Sequence, residues 1–467
     1  MGVAVSGWPL ARAVSSAGQL GVVSGTGLPV VMARRLQMGD AGGHVRRALA
    51  HFPVAGVAAR ILKRYFVPHG KAAHAPFASA SLPQLEDSPA AIELTVAANF
   101  VEVFLAKEGH AGVVGINYLE KVQIPHLASL FGAMLAGVDY VLMGAGIPRF
   151  IPGVLDAFAS GAAARYRIDV EQAVGEEFVT RFDPAKFCAG GAPAMKRPRF
   201  LAIISSATLA MTLARKSNGH VDGFIIERDC AGGHNAPPRG PLQLNERGEP
   251  VYGVRDVPDL EKIKALGLPF YLAGGYGHAG KLAEARALGA AGIQVGTAFA
   301  FCEESGIDAE LKQRAVAMSV AGAADVFTDP AASPTGFPLK ILRLPGTLSE
   351  ARNFAARTRI CDLGFLRRAY RKADGGVGYR CPAEPVEDYM HKGGAVAETL
   401  GRKCLCNALF GNVGLPQSRH SSRELPLITA GDDARRLQEF ISEQGQCYSA
   451  RDVIARLLGP ASTRPAA

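Results

Sequence analysis

The feature that most constrains this chain is a succession of short, unbroken apolar runs separated by helical patterns over its first 300 residues. The runs are MGVAV (1–5), LGVVS (20–24), GVVGI (112–116), DYVLM (139–143), RFLAIIS (199–205), VDGFII (221–226), LPFYLA (268–273) and GIQVG (292–296). Most are continuous rather than alternating. A strand reads that way when both its faces are covered, as in a parallel sheet under helices. Amphipathic stretches at Pro9 to Ala17, Ile124 to Ala136 and Gly280 to Leu288 lie between them. Eight such strands with intervening helices predict an α/β fold, a (β/α)8 TIM barrel.

Two interruptions and a long remainder qualify that prediction. Pro29 to His110 is far too long for a βα connection and predicts a largely helical insertion (about 29–110) after strand two, with a Pro/Ala/Ser-rich loop around 68–90. A second insertion runs from Gly161 to Pro198. After residue 305 the strand rhythm stops. The expectation is a barrel over 1–305 and a helical and loop extension over 306–467 packed on it, ending in a helical tail from about 426.

Composition excludes several classes of function. Lys and Arg number 51 against 42 Asp and Glu, a net charge of +9. No dense basic run is interleaved with aromatics; the clusters are as short as Arg367-Arg368 and Arg371-Lys372. The surplus reads as a solvated basic face or a site attracting small anions, not as nucleic-acid binding. No uninterrupted apolar stretch is long enough for a membrane span, and the N-terminus lacks a secretory pattern. MGVAVS fits a myristoylation pattern, but the same residues read better as a buried strand entering a turn. Eight cysteines in 467 residues suggest reduced thiols of a cytoplasmic protein. Cys361, Cys381, Cys404 and Cys406 cluster late in the chain, but they offer one CxC instead of two knuckles, so no metal site is assigned.

The densest chemical signal is LPFYLAGGYGHAGKLAEARALGAAGIQVGTAF (268–299). Gly275, Gly277 and Gly280 spell GxGxxG, a dinucleotide fingerprint. That motif also wants an acidic residue ending the next strand, and here the strand ends in Gly296-Thr297. A second reading uses both halves. Gly274-Gly275 and Gly296-Thr297 would present backbone amides at the carboxyl ends of strands seven and eight, where barrels hold phosphate. Tight turns without a ligand are the bland alternative.

The second signal is ERDCAGGHNAPPRG (227–240), where Gly232-Gly233 turns the chain and sets His234 at the predicted barrel mouth. An imidazole there can trade a proton near neutral pH. A lone histidine is more often structural, but its strand-end position favours catalysis. Asn117 closes GVVGIN, and GAGIP (144–148) lets backbone approach a flat ligand; each alone is equally turn chemistry. Cys230 has no activating neighbour and reads as packing, and His44 reads as surface structure.

Taken in order, ARAVSSAGQLGVVSG, VVGIN, AGGH, LAGGYG and IQVGTAF resemble the nitronate monooxygenase (2-nitropropane dioxygenase-like) family. Those proteins are FMN-dependent (β/α)8 barrels that include flavin enoyl-thioester reductases. The resemblance covers about 1–27 and 110–300. The insertion and the tail, with CDLGFLRRAY and GYRCPAEPV, look like a longer branch similar to the trans-acting enoyl reductases of polyunsaturated fatty acid and polyketide assembly. The resemblance implies catalysis by His234. It places FMN contacts at Asn117, Gly232, Gly274, Gly275, Gln294, Val295, Gly296 and Thr297. Glu227 stands where many members have glutamine, and a carboxylate beside the ring would disfavour an anionic reduced flavin. The Pro-Met turn of the family is cut to Met1-Gly2.

The activity implied is oxidation of nitronates with O2. The alternative is NAD(P)H-dependent reduction of enoyl thioesters, and a third reading is a non-catalytic scaffold subunit. The partners expected are a small anionic or acyl-thioester substrate, an acyl carrier protein for the thioester branch, and a second copy of the chain. Neither nucleic acid nor membrane is among them.

Overall fold

The computed structural model describes residues 2–81, 84–86, 88–189, 191, 193–419, 422–441 and 447–459. Its centre is a curled sheet of seven parallel strands: β1 (Gly21–Ser24), β2 (Val114–Leu119), β3 (Tyr140–Gly144), β4 (Arg199–Ile204), β5 (Gly223–Glu227), β6 (Phe270–Ala273) and β7 (Gly292–Gln294). They are hydrogen-bonded in that order, β1 to β7. This is the expected (β/α) barrel architecture. Alternation along each strand explains the continuous apolar runs. Leu142, Leu201, Ile225 and Ala273 point to the barrel interior and bury together. Their neighbours Val141, Met143, Phe200, Ala202, Phe224, Ile226 and Leu272 face the helices in the main core.

The first expected strand, 1–5, is not a strand. Ala4 has a positive φ of 51°, so the described residues 2–6 form a turn at the carboxyl end of β1. The Ser24 amide donates to Ser6 O at 2.8 Å, and its hydroxyl donates to Gly2 O at 2.8 Å. Gly306 N donates to Val5 O at 2.8 Å. A backbone held this way cannot extend a ladder, and the sheet stays open between β1 and β7.

The first insertion is helical, as expected. Its longest helix, α1 (Pro89–Lys107), starts with Pro89 at its first turn and Ser88 accepting from Ala91 N. It is long and apolar enough to cross a membrane, but 72% of it is buried inside the protein. Glu102 on this helix accepts from Arg35 at 2.7 Å and from Trp8 N at 2.8 Å, so its buried charge is paired. The second insertion carries a hairpin, Ala164–Ile168 against Phe178–Phe182.

The chain after 306 departs from the helix-and-loop expectation. β8 (Asp325–Asp329) and β9 (Leu339–Arg343) form an antiparallel pair, and the two-residue strand Gly233–His234 adds to β9. A second hairpin, Arg368–Arg371 with Val377–Arg380, joins Val170–Glu171 of the second insertion. Val326 and Thr328 are buried between half-exposed neighbours, and that period of two, rather than a helical period, governs the segment. Among the described residues the tail carries one α-helix, Ala450–Leu458, preceded by a 3-10 stretch at Asp432–Phe440.

Candidate active site

Two loops build one half of the site. Gly274 and Gly275 follow β6 with φ of 82° and 72°. A side chain at Gly274 would stand 3.1 Å from Arg228 O, and one at Gly275 would stand 3.1 Å from Cys230 Sγ. Both positions therefore require glycine. Gly296-Thr297 follows β7. Among the described residues, the amides of Gly275, Gly296 and Thr297 donate to no protein acceptor. They lie on a cavity of about 420 Å3, whose wall carries Asn117, Glu227, Gly232, Gly274, Gly275, Gln294, Val295, Gly296 and Thr297 together. The Thr297 hydroxyl is committed, accepting from Gly431 N at 2.9 Å.

The dinucleotide spelling fares worse. Gly277 N donates to Asp433 Oδ2 at 3.1 Å, so the middle glycine of GxGxxG is already engaged. Asp433 also lies on the cavity wall. Burial raises its pKa above the ordinary carboxylate value.

A second cavity, about 370 Å3, shares Asn117, Ile203, Glu227, Gly232 and Thr429 with the first. His234, Phe337, Leu366, Leu405 and Phe410 complete its wall. Asn117 is 6% exposed and donates weakly to Leu142 O at 3.4 Å. Glu227, enclosed apart from the cavity surface, is pushed up to about 7 by burial. Burial likewise holds His234 well below the usual imidazole range, with the Lys121 ammonium acting in the same direction, so the ring is neutral at neutral pH. Its Nε2 lies 2.6 Å from Ser333 Oγ.

Sequence reasoning missed Ser333 and Thr335, which join His234 by hydrogen bonds behind the cavity wall, and Phe337 and Asp433, which lie on the cavity walls. The first three are carried by the β8–β9 connection, and no motif marks them. Lys121, four residues beyond Asn117, was also missed; its Nζ lies 3.8 Å from the centre of the Phe337 ring. Other sequence candidates fall outside this chemistry. Cys230 is pushed up to about 11 by burial and is no thiolate. His44 packs on Trp8 at 4.9 Å and meets Arg47, away from the cavities. Cys361, Cys381, Cys404 and Cys406 surround a void of about 10 Å3. Among the described residues no group of three or more His, Cys, Asp and Glu is set to hold a metal ion.

A parallel (β/α) barrel with a glycine cradle and an imidazole at the carboxyl ends of its strands carries its candidate site where barrel enzymes place theirs. Residues 194–327 match the nitronate monooxygenase family, which bears out the resemblance read from the sequence over that segment. The matched segment contains Glu227, Gly232, His234, Gly274, Gly275 and Gln294 to Thr297, but not Asn117. No curated protein matches the chain. Among solved structures, FabK from Thermotoga maritima is 15% identical, covering 97% of this chain and 88% of its own, with a TM-score of 0.47. Nitroalkane oxidase from Streptomyces ansochromogenes is 15% identical over 98% and 94% with a TM-score of 0.44. The enoyl reductase domain of MlnA from Bacillus amyloliquefaciens is 11% identical over 76% and 82% with a TM-score of 0.41.

Proposed function

We propose that the chain is an FMN-dependent oxidoreductase of the nitronate monooxygenase type, oxidising nitronates with O2. One observation carries this reading. The cavity bearing the free amides of Gly275, Gly296 and Thr297 adjoins the cavity bearing His234, and Asn117 and Glu227 line both. On this reading a mononucleotide spans that pair of spaces. Its phosphate would take the free amides, which have no other acceptor, and its flat ring would lie by Asn117 and Glu227 towards His234. FMN bound there supplies the redox centre.

The chain's own residues do the rest. A neutral His234 donates a hydrogen bond to a nitronate oxygen, or takes the proton from the carbon beside a nitro group, according to which ring nitrogen bears the hydrogen. Asn117 supplies an amide edge to the ring. Near neutral pH Glu227 is divided between acid and carboxylate, which softens the penalty a full negative charge would impose on a reduced ring. The test is oxygen uptake with small nitronates, abolished in His234→Ala while bound FMN is unchanged. No uptake on any small nitronate overturns the reading.

The apolar wall formed by Phe337, Leu366, Leu405, Leu409 and Phe410 favours a second reading, an NAD(P)H-dependent enoyl-thioester reductase with room for an acyl chain. Anaerobic bleaching by NAD(P)H followed by reoxidation with a crotonyl thioester decides for it.

A further inference from the structure

An unbroken run of side-chain hydrogen bonds leads away from His234. Its Nε2 is 2.6 Å from Ser333 Oγ, Ser333 Oγ is 2.8 Å from Thr335 Oγ1, and Lys121 Nζ is 3.3 Å from Thr335 Oγ1. The loop carrying the two hydroxyls is firmly held. Arg402 Nη1 donates to Ala331 O and Ser333 O at 2.8 and 2.7 Å, and Asp329 Oδ1 accepts from Ala331 N and Ala332 N. Ser333 is fully buried, so water does not compete for its hydroxyl.

Counting donors fixes the direction of the run. An ammonium can only donate, so a charged Lys121 makes Thr335 Oγ1 an acceptor. The one Thr335 hydroxyl hydrogen then goes to Ser333 Oγ, which also accepts from Thr335 N at 3.2 Å. With both lone pairs of Ser333 used, its hydrogen goes to His234 Nε2, and the ring keeps its own hydrogen on Nδ1. A neutral Lys121 amine allows the reverse. Nε2–H donates to Ser333, Ser333 to Thr335, and Thr335 to Nζ, leaving a bare Nδ1. Among the described residues Nδ1 has no partner. The two directions differ by one proton: three hops move one from Lys121 to Nε2, and one leaves from Nδ1.

We propose that Lys121, Thr335 and Ser333 are positioning residues that set which ring nitrogen of His234 bears its hydrogen, and thereby whether the ring donates to an anion or takes up a proton. This deepens the reading of His234 under Proposed function and rests on it for its catalytic consequence. With Lys121 neutral, Nδ1 accepts the proton from the carbon beside a nitro group. The surplus proton passes back through Ser333 and Thr335 to Lys121. His234 is left neutral, with Nδ1–H donating to the nitronate just formed. Proton and charge balance, and no other base is needed. The groups acting on Lys121 are Glu120, which favours its charge, and Arg368, which opposes it, and burial brings its pKa down to about 7. The result also gives the β8–β9 connection a task, since it carries both hydroxyls.

The test is the 15N spectrum of ring-labelled full-length protein across pH, with His234 assigned by loss of its signals in His234→Gln. In the wild type the hydrogen is expected on Nδ1 at low pH and on Nε2 at high pH, changing as Lys121 titrates. Lys121→Arg, a permanent cation, holds it on Nδ1 throughout. Lys121→Met and Ser333→Ala abolish the pH dependence. A tautomer that ignores pH in the wild type, or a wild-type change that survives in Lys121→Met, overturns the proposal. Far-ultraviolet circular dichroism confirms that each variant is folded, and Lys121→Arg keeps the test decisive if Lys121→Met is not. Turnover is read separately. Ser333→Ala shifts the pH profile of nitronate oxidation with FMN content unchanged. If no nitronate is turned over, the proposed activity fails while the tautomer result stands.

Discussion

Glu227→Gln isolates the electrostatics of the site in a single measurement. The carboxyl of Glu227 rises from 4.5 to about 7 because burial disfavours its charge. At ~1.4 kcal/mol for each tenfold change in proton affinity, that rise corresponds to ~3 kcal/mol. The sign follows from proton counting. Between about pH 4.5 and 7 the folded chain keeps a proton that the unfolded chain has released, so stability falls as pH rises and the full penalty stands above about pH 7. Glutamine has nearly the same shape and no charge to bury. Urea unfolding of flavin-free protein across this range is expected to give similar stabilities for wild type and Glu227→Gln at the acid end. The variant should be more stable by ~3 kcal/mol at the alkaline end. Parallel curves across the whole range refute the burial argument.

Three further outcomes follow from particular contacts. Gly275→Ala forces a side chain into a φ of 72°. It is expected to cost ~1–2 kcal/mol in melting experiments and to lower the FMN bound per chain, read from absorbance. Thr297→Val strips Gly431 N of its acceptor. It should destabilise by ~1–3 kcal/mol and speed amide exchange in residues 429–433. Arg357 and Glu424 form a bidentate pair at 2.7 and 2.8 Å, with side chains 11% and 6% exposed. Glu424→Gln removes the bidentate partner of a buried guanidinium, leaving it only the more distant Asp362, and should cost up to ~3 kcal/mol in urea unfolding.

The barrel strands were legible because each is short, apolar on both faces and bounded by turn residues, so one pattern reported both secondary structure and burial. The glycine turns after β6 and β7 were legible for a related reason. Gly274 and Gly275 sit at positive φ beside a strand end, which few other residues tolerate, and Gly296-Thr297 takes the corresponding place after the next strand with an ordinary negative φ. The first strand misled because MGVAV has strand composition, while Ser24 and Gly306 bind its carbonyls in a turn that composition does not encode. β8 and β9 were missed because β8's alternation is brief, β9 is a short, mostly buried run, and both lie among Gly- and Arg-rich loops. Ser333, Thr335 and Lys121 were illegible in principle. Their meaning depends on side-chain hydrogen bonds spanning 99 and 214 residues of sequence, and no local spacing records such distances.

The central claim is that two adjoining cavities hold one mononucleotide, its phosphate on the amides after β6 and β7. Fluorescence titration of flavin-free protein with FMN and with riboflavin tests it most directly. Three charge-assisted hydrogen bonds, from the amides of Gly275, Gly296 and Thr297, at ~1.5 kcal/mol each predict that FMN binds roughly 1,000-fold more tightly than riboflavin, and that Gly275→Ala narrows the difference. Equal affinity for the two flavins, or no binding of either, contradicts the account.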